Sequence, residues 1–180
     1  AYLAQTYGDT FQELDIPFVR QLDHSKWRTL SQMIAKGINS PSTSSLGRLF
    51  DAIAALLCLR SEVLYEGQAA IELEMLAQSA YSSGDPRGRH ARGGRHAQSG
   101  RLVQNDLHAQ EIKTYPFTIQ DQTPAKLDVT PMIRAIINDI QQNLPIHEIA
   151  MRFHCSIAEL LAAACLRARE QTELNSVALS

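Results

Sequence analysis

The residues best placed to do chemistry lie where a polar, proline-containing loop runs into an apolar stretch, at positions 38–59. Ser44 and Ser45 are suited to cap a helix there, because a serine hydroxyl can accept a hydrogen bond from a free N–H group of the first turn. Gly47 would lie in that turn, with Asp51 one turn further along on roughly the same face. A helix N-terminus attracts phosphate, and a carboxylate accepts hydrogen bonds from ribose hydroxyls. The junction therefore has the residue types of a nucleotide site.

Taken alone, the junction is explained as well by an ordinary helix start with a surface aspartate. A longer ordered pattern changes this interpretation, because it combines GINSP at 37–41, TSS at 43–45, GRLFDA at 47–52 and YEGQAA at 65–70. This pattern closely resembles the carbamoyltransferase HypF family of hydrogenase maturation. It resembles that family's C-terminal, actin-like ATPase domain, which is similar to the tRNA threonylcarbamoyl transferases.

The resemblance implies a reaction that no spacing in the chain reveals. HypF-like proteins convert carbamoyl phosphate and ATP to carbamoyl-adenylate, releasing pyrophosphate. They then pass the carbamoyl group to the C-terminal cysteine of the partner HypE, where it is destined to become a cyanide ligand of nickel–iron hydrogenase. The resemblance thus implies a cytoplasmic enzyme that uses ATP and carbamoyl phosphate and has a HypE-type partner.

The resemblance also implies roles for particular residues. Gly47 and Asp51 match the glycine and aspartate that clasp adenosine and ribose in the threonylcarbamoyl transferases. The adjoining turns that would face the same cleft contain Ser44, Ser45, Glu66 and Gly67. Asn39 and Arg48 lie within the pattern without an assigned role, and the residues that perform the transfer stay unassigned.

The implied fold is α/β with helices predominating, a partial actin-like ATPase (ASKHA) domain spanning residues 1–180. The family's metal ligands, its first phosphate loop and the loop expected after Ser180 have no counterpart in the sequence. We therefore expect a fragment of the C-terminal domain, with the metal ligands outside this chain and no measurable catalysis by the fragment alone.

Hydrophobic periodicity and turn residues predict the elements that must position these residues. Helices are predicted at 25–36, 47–59, 68–78, 130–142 and 146–153, the last with a possible continuation into 155–169. Strands are predicted at 111–120, 126–129 and 175–180. Residues 1–24 are expected to form short helix and loop. In the helix predicted at 25–36, Ser25 is the expected cap, Gly37 the stop, and Trp27, Leu30, Met33 and Ile34 an apolar stripe.

Residues from about 82 to 104 are rich in Gly, Arg and His and have almost no apolar side chains. Such a segment cannot bury enough surface to offset the entropy of ordering, so a mobile surface insertion is expected. A basic run can also bind nucleic acid or an acidic partner. The alternatives to the HypF assignment are therefore a related carbamoyl or threonylcarbamoyl transferase, or a non-catalytic helical interaction module that uses this insertion.

The composition sets outer limits on the function. A net charge of −2 argues against a whole-protein nucleic-acid binder, and no apolar stretch looks long enough to cross a bilayer. Cys58, Cys155 and Cys165 are predicted to be buried free thiols, which fits a reducing cytoplasm. His154 is predicted to be a hydrogen-bonded packing residue, with no metal site in the chain. Glu72 and Glu74 are assigned to a solvated helix face.

Overall fold

The computed structural model describes residues 1–40, 45–60, 62–82, 112–122 and 124–176. Its N-terminal part consists of α1 (Tyr2–Tyr7), a 3-10 helix (Gly8–Glu13), α2 (Pro17–Arg20) and α3 (His24–Ala35). The remaining elements are α4 (Leu46–Leu56), α5 (Gln68–Ser82), β1 (Thr118–Gln120), β2 (Lys126–Asp128), α6 (Thr130–Gln141) and α7 (Ile146–Thr172). The fold is helix-rich, as predicted.

The core forms around the first half of α7, where α7 has its buried residues; α5 and α6 pack against α7. The most extensive packing is between α5 and α7, and α4 packs against α5. Side chains spaced three or four residues apart share one face of a helix, so each helix buries a stripe. Among the fully buried side chains are Ile53 of α4, Leu73 of α5, Ile136 of α6 and Phe153 of α7. Each such burial contributes about 1.5–3 kcal/mol relative to exposure.

α7 is one continuous helix of 27 residues, and the predicted continuation beyond Phe153 is confirmed. By length and composition it could cross a membrane, with a mean hydropathy of 1.5 over its most apolar window. The expectation that no stretch is long enough was therefore wrong for α7, the one helix of the described ranges that meets both criteria. Core helices meet the same criteria, and α7 buries seven residues against its neighbours. We interpret it as the central core helix.

α3 begins one residue earlier than predicted, because Asp23 caps it in place of Ser25. The Asp23 carboxylate accepts hydrogen bonds from the backbone N–H groups of Ser25 and Lys26, at 2.9 and 3.1 Å. The Ser25 hydroxyl also donates to it, and these bonds lower the pKa of Asp23. The helix ends before Gly37, which has φ +65° and provides the predicted stop.

The apolar stripe of α3 does not enter the core. Trp27 packs edge-on against Phe11, with ring centroids 4.9 Å apart. No α3 residue is buried, however, and Leu30 and Ile34 are about half exposed. The sequence pattern identified the helix correctly, whereas the tertiary packing leaves its apolar face only partly covered.

The two strands form a short antiparallel pair in which Ile119 is opposite Leu127. The predicted first strand was too long, because residues 112–117 lie outside the ladder. Tyr115 instead joins two helices: its N–H donates to the Ser156 hydroxyl at 2.7 Å, and its hydroxyl donates to Asp139 at 2.9 Å. Burial and this carboxylate raise the pKa of Tyr115 well above its ordinary value.

Two predicted segments fall largely outside the described residues. Of the insertion at 82–104, only Ser82 is described, as the last residue of α5. Of the predicted strand at 175–180, only residues 175 and 176 are described, and they adopt no regular structure.

The prediction of buried cysteines was wrong. Cys58 is exposed, and Cys155 and Cys165 are partly buried; all three are free thiols. Cys58 has φ +56° and follows α4, which ends at Leu56 rather than at the predicted Leu59. The backbone reverses at this position, so the side chain cannot follow the buried face of the helix.

Candidate functional site

α4 supplies one wall of a cleft. Leu49 and Ile53 lie one turn apart and are buried, which fixes the rotation of the helix against the core. Gly47, Arg48 and Asp51 share another face, because 47 and 51 are four residues apart and 48 and 51 are three apart. Polar and backbone groups are thereby left at the surface while the apolar face holds the helix in place.

Ser45 occupies the N-cap position of α4 with extended backbone angles, φ −66° and ψ 119°. Its side chain makes no capping hydrogen bond to the helix, so the predicted capping role of the hydroxyl is wrong. The position itself was predicted correctly, since the helix starts at the next residue.

The start of α5 and the segment before it supply the opposite wall. Gly67 has φ +79°, a left-handed conformation that glycine adopts without a Cβ penalty. Its carbonyl accepts a hydrogen bond from the N–H of Ile71 at 3.0 Å, so Gly67 marks the turn into α5. Glu66 immediately precedes this turn and is exposed.

The two walls enclose an open cleft of about 570 Å³. Its lining contains five of the six predicted site residues, namely Ser45, Gly47, Asp51, Glu66 and Gly67. The sixth, Ser44, lies outside the described residues. Arg48, Val63 and Ala70 complete the lining. Arg48 and Ala70 lie within the sequence pattern without an assigned role, and Val63 lies outside it. The structure thus brings together two segments that the sequence separates by about fifteen residues.

The Asp51 carboxylate pairs with a neighbouring cation on the same helix. Arg48 Nη1 lies 3.4 Å from Asp51 Oδ2, and the two side chains are 71% and 37% exposed. A solvent-exposed pair of this length contributes at most about 1 kcal/mol. Asp51 is therefore accessible from the cleft, and a ligand hydroxyl could donate to it without breaking a strong internal contact.

Gly47 is helical with no positive φ, so its backbone conformation does not require glycine. Among the described residues, a Cβ built there would meet only the Ser45 hydroxyl oxygen, at 3.5 Å, an ordinary contact distance. Glycine inside a helix costs about 1 kcal/mol relative to alanine. A glycine at position 47 leaves the α4 backbone uncovered at the cleft, where a flat ligand could approach closely.

These groups fit the sugar and base of a nucleotide. Two carboxylates, Asp51 and Glu66, line opposite walls and can accept hydrogen bonds from hydroxyls. The first N–H groups of α4 have no partners within the helix, which favours an anion at that end. Among the described residues, no three His, Cys, Asp or Glu side chains are grouped closely enough to hold a metal ion.

His154 lies behind the cleft and not in its lining. Its Nδ1 atom is 2.8 Å from the Ala150 carbonyl oxygen, and its ring contacts Phe50 with centroids 5.3 Å apart. Phe50 also packs against Phe153, with centroids 5.0 Å apart. The prediction of a hydrogen-bonded packing residue is confirmed. These rings connect the α4 wall of the cleft to the core helix α7.

Comparison with known proteins identifies the family. The profile described as "Carbamoyltransferase, Kae1-like Domain, second subdomain" matches residues 1–180. Carbamoyltransferase HypF2 of Cupriavidus necator is 46% identical over 69 residues, which are 36% of this chain and 9% of that protein. Carbamoyltransferase HypF of a Synechocystis strain is 29% identical over 153 residues, 84% of this chain and 15% of that protein.

A solved structure shares the fold. The crystal structure of full-length HypF in the phosphate- and nucleotide-bound form superposes with a TM-score of 0.69 and 26% identity, covering 97% of this chain and 22% of that one. The chain therefore spans less than a quarter of the length of these relatives. Its fold is a partial actin-like (ASKHA) domain, as the resemblance implied. Because the family profile matches the whole chain, the chain belongs to the HypF carbamoyltransferase family, in its Kae1-like domain's second subdomain.

Proposed function

We propose that this chain forms one side of the nucleotide site of a HypF-type carbamoyltransferase. The observation that carries the proposal is the convergence of Ser45, Gly47, Asp51, Glu66 and Gly67 on one cleft. These residues come from two separate segments and include all the described residues for which the resemblance implied a nucleotide contact. The related full-length HypF was crystallised in a nucleotide-bound form, which supports the same assignment.

Within this proposal the α4 wall recognises the nucleoside. The uncovered backbone at Gly47 lets the adenine or ribose approach closely, and Asp51 accepts hydrogen bonds from ribose hydroxyls. Glu66 faces the ligand from the opposite wall. The phosphates and any metal are held by residues outside this chain, and the isolated 180 residues do not transfer carbamoyl groups.

The reaction we propose for the whole protein has two stages. ATP, carbamoyl phosphate and water react to give carbamoyl-adenylate, pyrophosphate and inorganic phosphate, and the carbamoyl group then passes to the thiol of the C-terminal cysteine of a HypE-type protein, releasing AMP. The role is maturation of nickel–iron hydrogenase in the cytoplasm. What this chain contributes is a fixed position for the adenosine half of the intermediate, because orienting the reactive group is itself a large share of catalysis.

Titration of ATP into the whole protein that contains this chain tests the proposal. Replacing Asp51 with alanine removes a charged acceptor, whose hydrogen bonds contribute about 1.5–3 kcal/mol. We therefore expect the dissociation constant for ATP, measured by calorimetry, to rise about tenfold or more. Asp15→Ala is the matched control, because Asp15 also pairs with a surface arginine but lies outside the cleft lining.

Equal ATP affinity in the wild type and the Asp51 variant would reject the nucleoside assignment. A wild-type whole protein that does not bind ATP would reject the proposed function altogether. Carbamoylation of the HypE-type partner's terminal cysteine, followed by mass spectrometry, tests the transfer stage separately.

A further inference from the structure

The segment that forms the second wall of the cleft has little burial to hold it. Val63, Leu64 and Tyr65 are 50%, 86% and 54% exposed, although all three are apolar. Leu64 and Tyr65 also lie outside the lining of the cleft. Hydrophobic packing therefore cannot account for the position of residues 62–67, and polar contacts must provide it.

A connected series of hydrogen bonds joins this segment to α5. The N–H of Leu64 donates to Gln68 Oε1 at 2.8 Å, and Gln68 Nε2 donates to Glu72 Oε1 at 3.0 Å. Arg60 Nε donates to both carboxylate oxygens of Glu72, each at 2.9 Å. The segment is thus tied to the helix at residue 64, and the chain just before it is tied at residue 60.

The negative charge of Glu72 determines which groups donate and which accept in this series of hydrogen bonds. A backbone N–H can only donate, so the Gln68 side chain must turn its oxygen toward Leu64. Its amide NH₂ group then faces Glu72, whose ionised carboxylate has acceptors and no donor. The Arg60 hydrogen bond, followed by that of Gln68, lowers the pKa of Glu72 and keeps it ionised at neutral pH. Gln68 is 4% exposed, so a reversed amide would leave a buried group without a partner.

The same segment carries part of the cleft. Val63, Glu66 and Gly67 line the cleft and flank the stretch that the hydrogen bonds fix. The opposite wall is anchored independently through the buried face of α4. The distance between the walls therefore depends on where residues 62–67 sit against α5.

We propose that Glu72, with Arg60 and Gln68, is a positioning residue that sets the second wall of the nucleotide cleft. This inference rests on the proposed function, since it assigns these side chains an effect on nucleotide binding without contact with the ligand. Sequence reasoning placed Glu72 on a solvated helix face because its partner lies twelve residues earlier in the chain.

The test compares the Glu72→Gln and Arg60→Met variants of the whole protein with the wild type. Glu74→Gln is the matched control, because Glu74 lies on the same helix and accepts a hydrogen bond from Gln78, at 3.3 Å. ATP affinity is measured by calorimetry, amide hydrogen exchange is followed at Leu64, and the midpoint of thermal unfolding is recorded. Exchange at one amide reports on the local hydrogen bond independently of global stability.

We expect both test variants to weaken ATP binding by about fivefold to tenfold and to speed exchange at Leu64 by about tenfold. Glu74→Gln should change neither quantity. If the wild type binds ATP and both test variants bind it equally well, the positioning role is wrong. It is also wrong if exchange accelerates uniformly along α5, because that result indicates a purely structural role. Absence of ATP binding by the wild type would instead overturn the proposed function, and this inference with it.

Discussion

One wall of the cleft is the exposed side of a buried helix, whereas the other is a short segment that stands on the surface. α4 buries Leu49, Ile53, Ala54 and Leu56, and it contacts α7 through Phe50. The segment at 62–67 has exposed apolar side chains and is held by the hydrogen bonds of Gln68, Glu72 and Arg60. Burial therefore fixes the first wall, and polar geometry fixes the second.

This difference predicts how each wall responds to substitution. Apolar burial is non-directional and large in sum, so removing a core side chain of α4 should affect the whole chain. Hydrogen bonds are directional and individually modest, so changing one should move the segment while leaving the core intact. Three substitutions test this contrast between the two walls, and the most destabilising is given first.

Ile53→Ala tests whether burial holds the α4 wall. Ile53 is fully buried, and truncating such a side chain costs about 2–5 kcal/mol of unfolding free energy. Urea denaturation of the 180-residue chain measures the change. Ile34→Ala on the half-exposed face of α3 is a control of the same residue type and should cost much less. A loss below about 1 kcal/mol at Ile53 would contradict the role assigned to burial.

Gly47→Ala separates the effect of residue 47 on the stability of α4 from its effect on ATP binding. Because the new methyl group would have room and glycine is a poor helix residue, the unfolding free energy should rise by about 0.5–1 kcal/mol. The same methyl group would enter the cleft, so the ATP affinity of the whole protein should fall severalfold. Gly37→Ala is the opposite control, since its φ of +65° makes a side chain unfavourable. Unchanged ATP affinity in Gly47→Ala would show that the ligand does not approach this backbone.

Leu64→Ser tests whether the second wall is independent of apolar packing. The Leu64 side chain is 86% exposed, and the hydrogen bond to Gln68 comes from its backbone. The unfolding free energy of the 180-residue chain should therefore change by less than about 0.5 kcal/mol. Leu73→Ser, at a fully buried position of α5, supplies the contrast. A large loss at Leu64 would mean that its side chain holds the segment after all.

Much of the architecture was predictable because its causes are local. Apolar spacing identified α4 to α7, and Gly37 marked the end of α3. The errors were of a different kind. The cap of α3 moved from Ser25 to Asp23, because Asp and Ser are both favoured at the N-cap and apolar spacing could not choose between positions two residues apart.

The candidate site was predictable as a set of residues but not as an arrangement. Gly47, Asp51 and Glu66 were identified by resemblance, and helical geometry placed the first two on one face. That Glu66 and Gly67 lie across the cleft from them follows only from the packing of α4 against α5. Val63 lies outside the sequence pattern, so nothing in the sequence pointed to it as a lining residue.

The main helices, the turn glycines and the family could be predicted from the residues, because these depend on backbone preferences and on the order of residues along the chain. Which faces are covered and which distant side chains meet depends on how the folded chain packs. That packing left Leu30 and Ile34 of α3 about half exposed, turned Cys58 outward and joined Arg60 to Glu72. The physical reason is that periodicity states which residues share a face, whereas burial and ion pairing depend on what lies opposite that face.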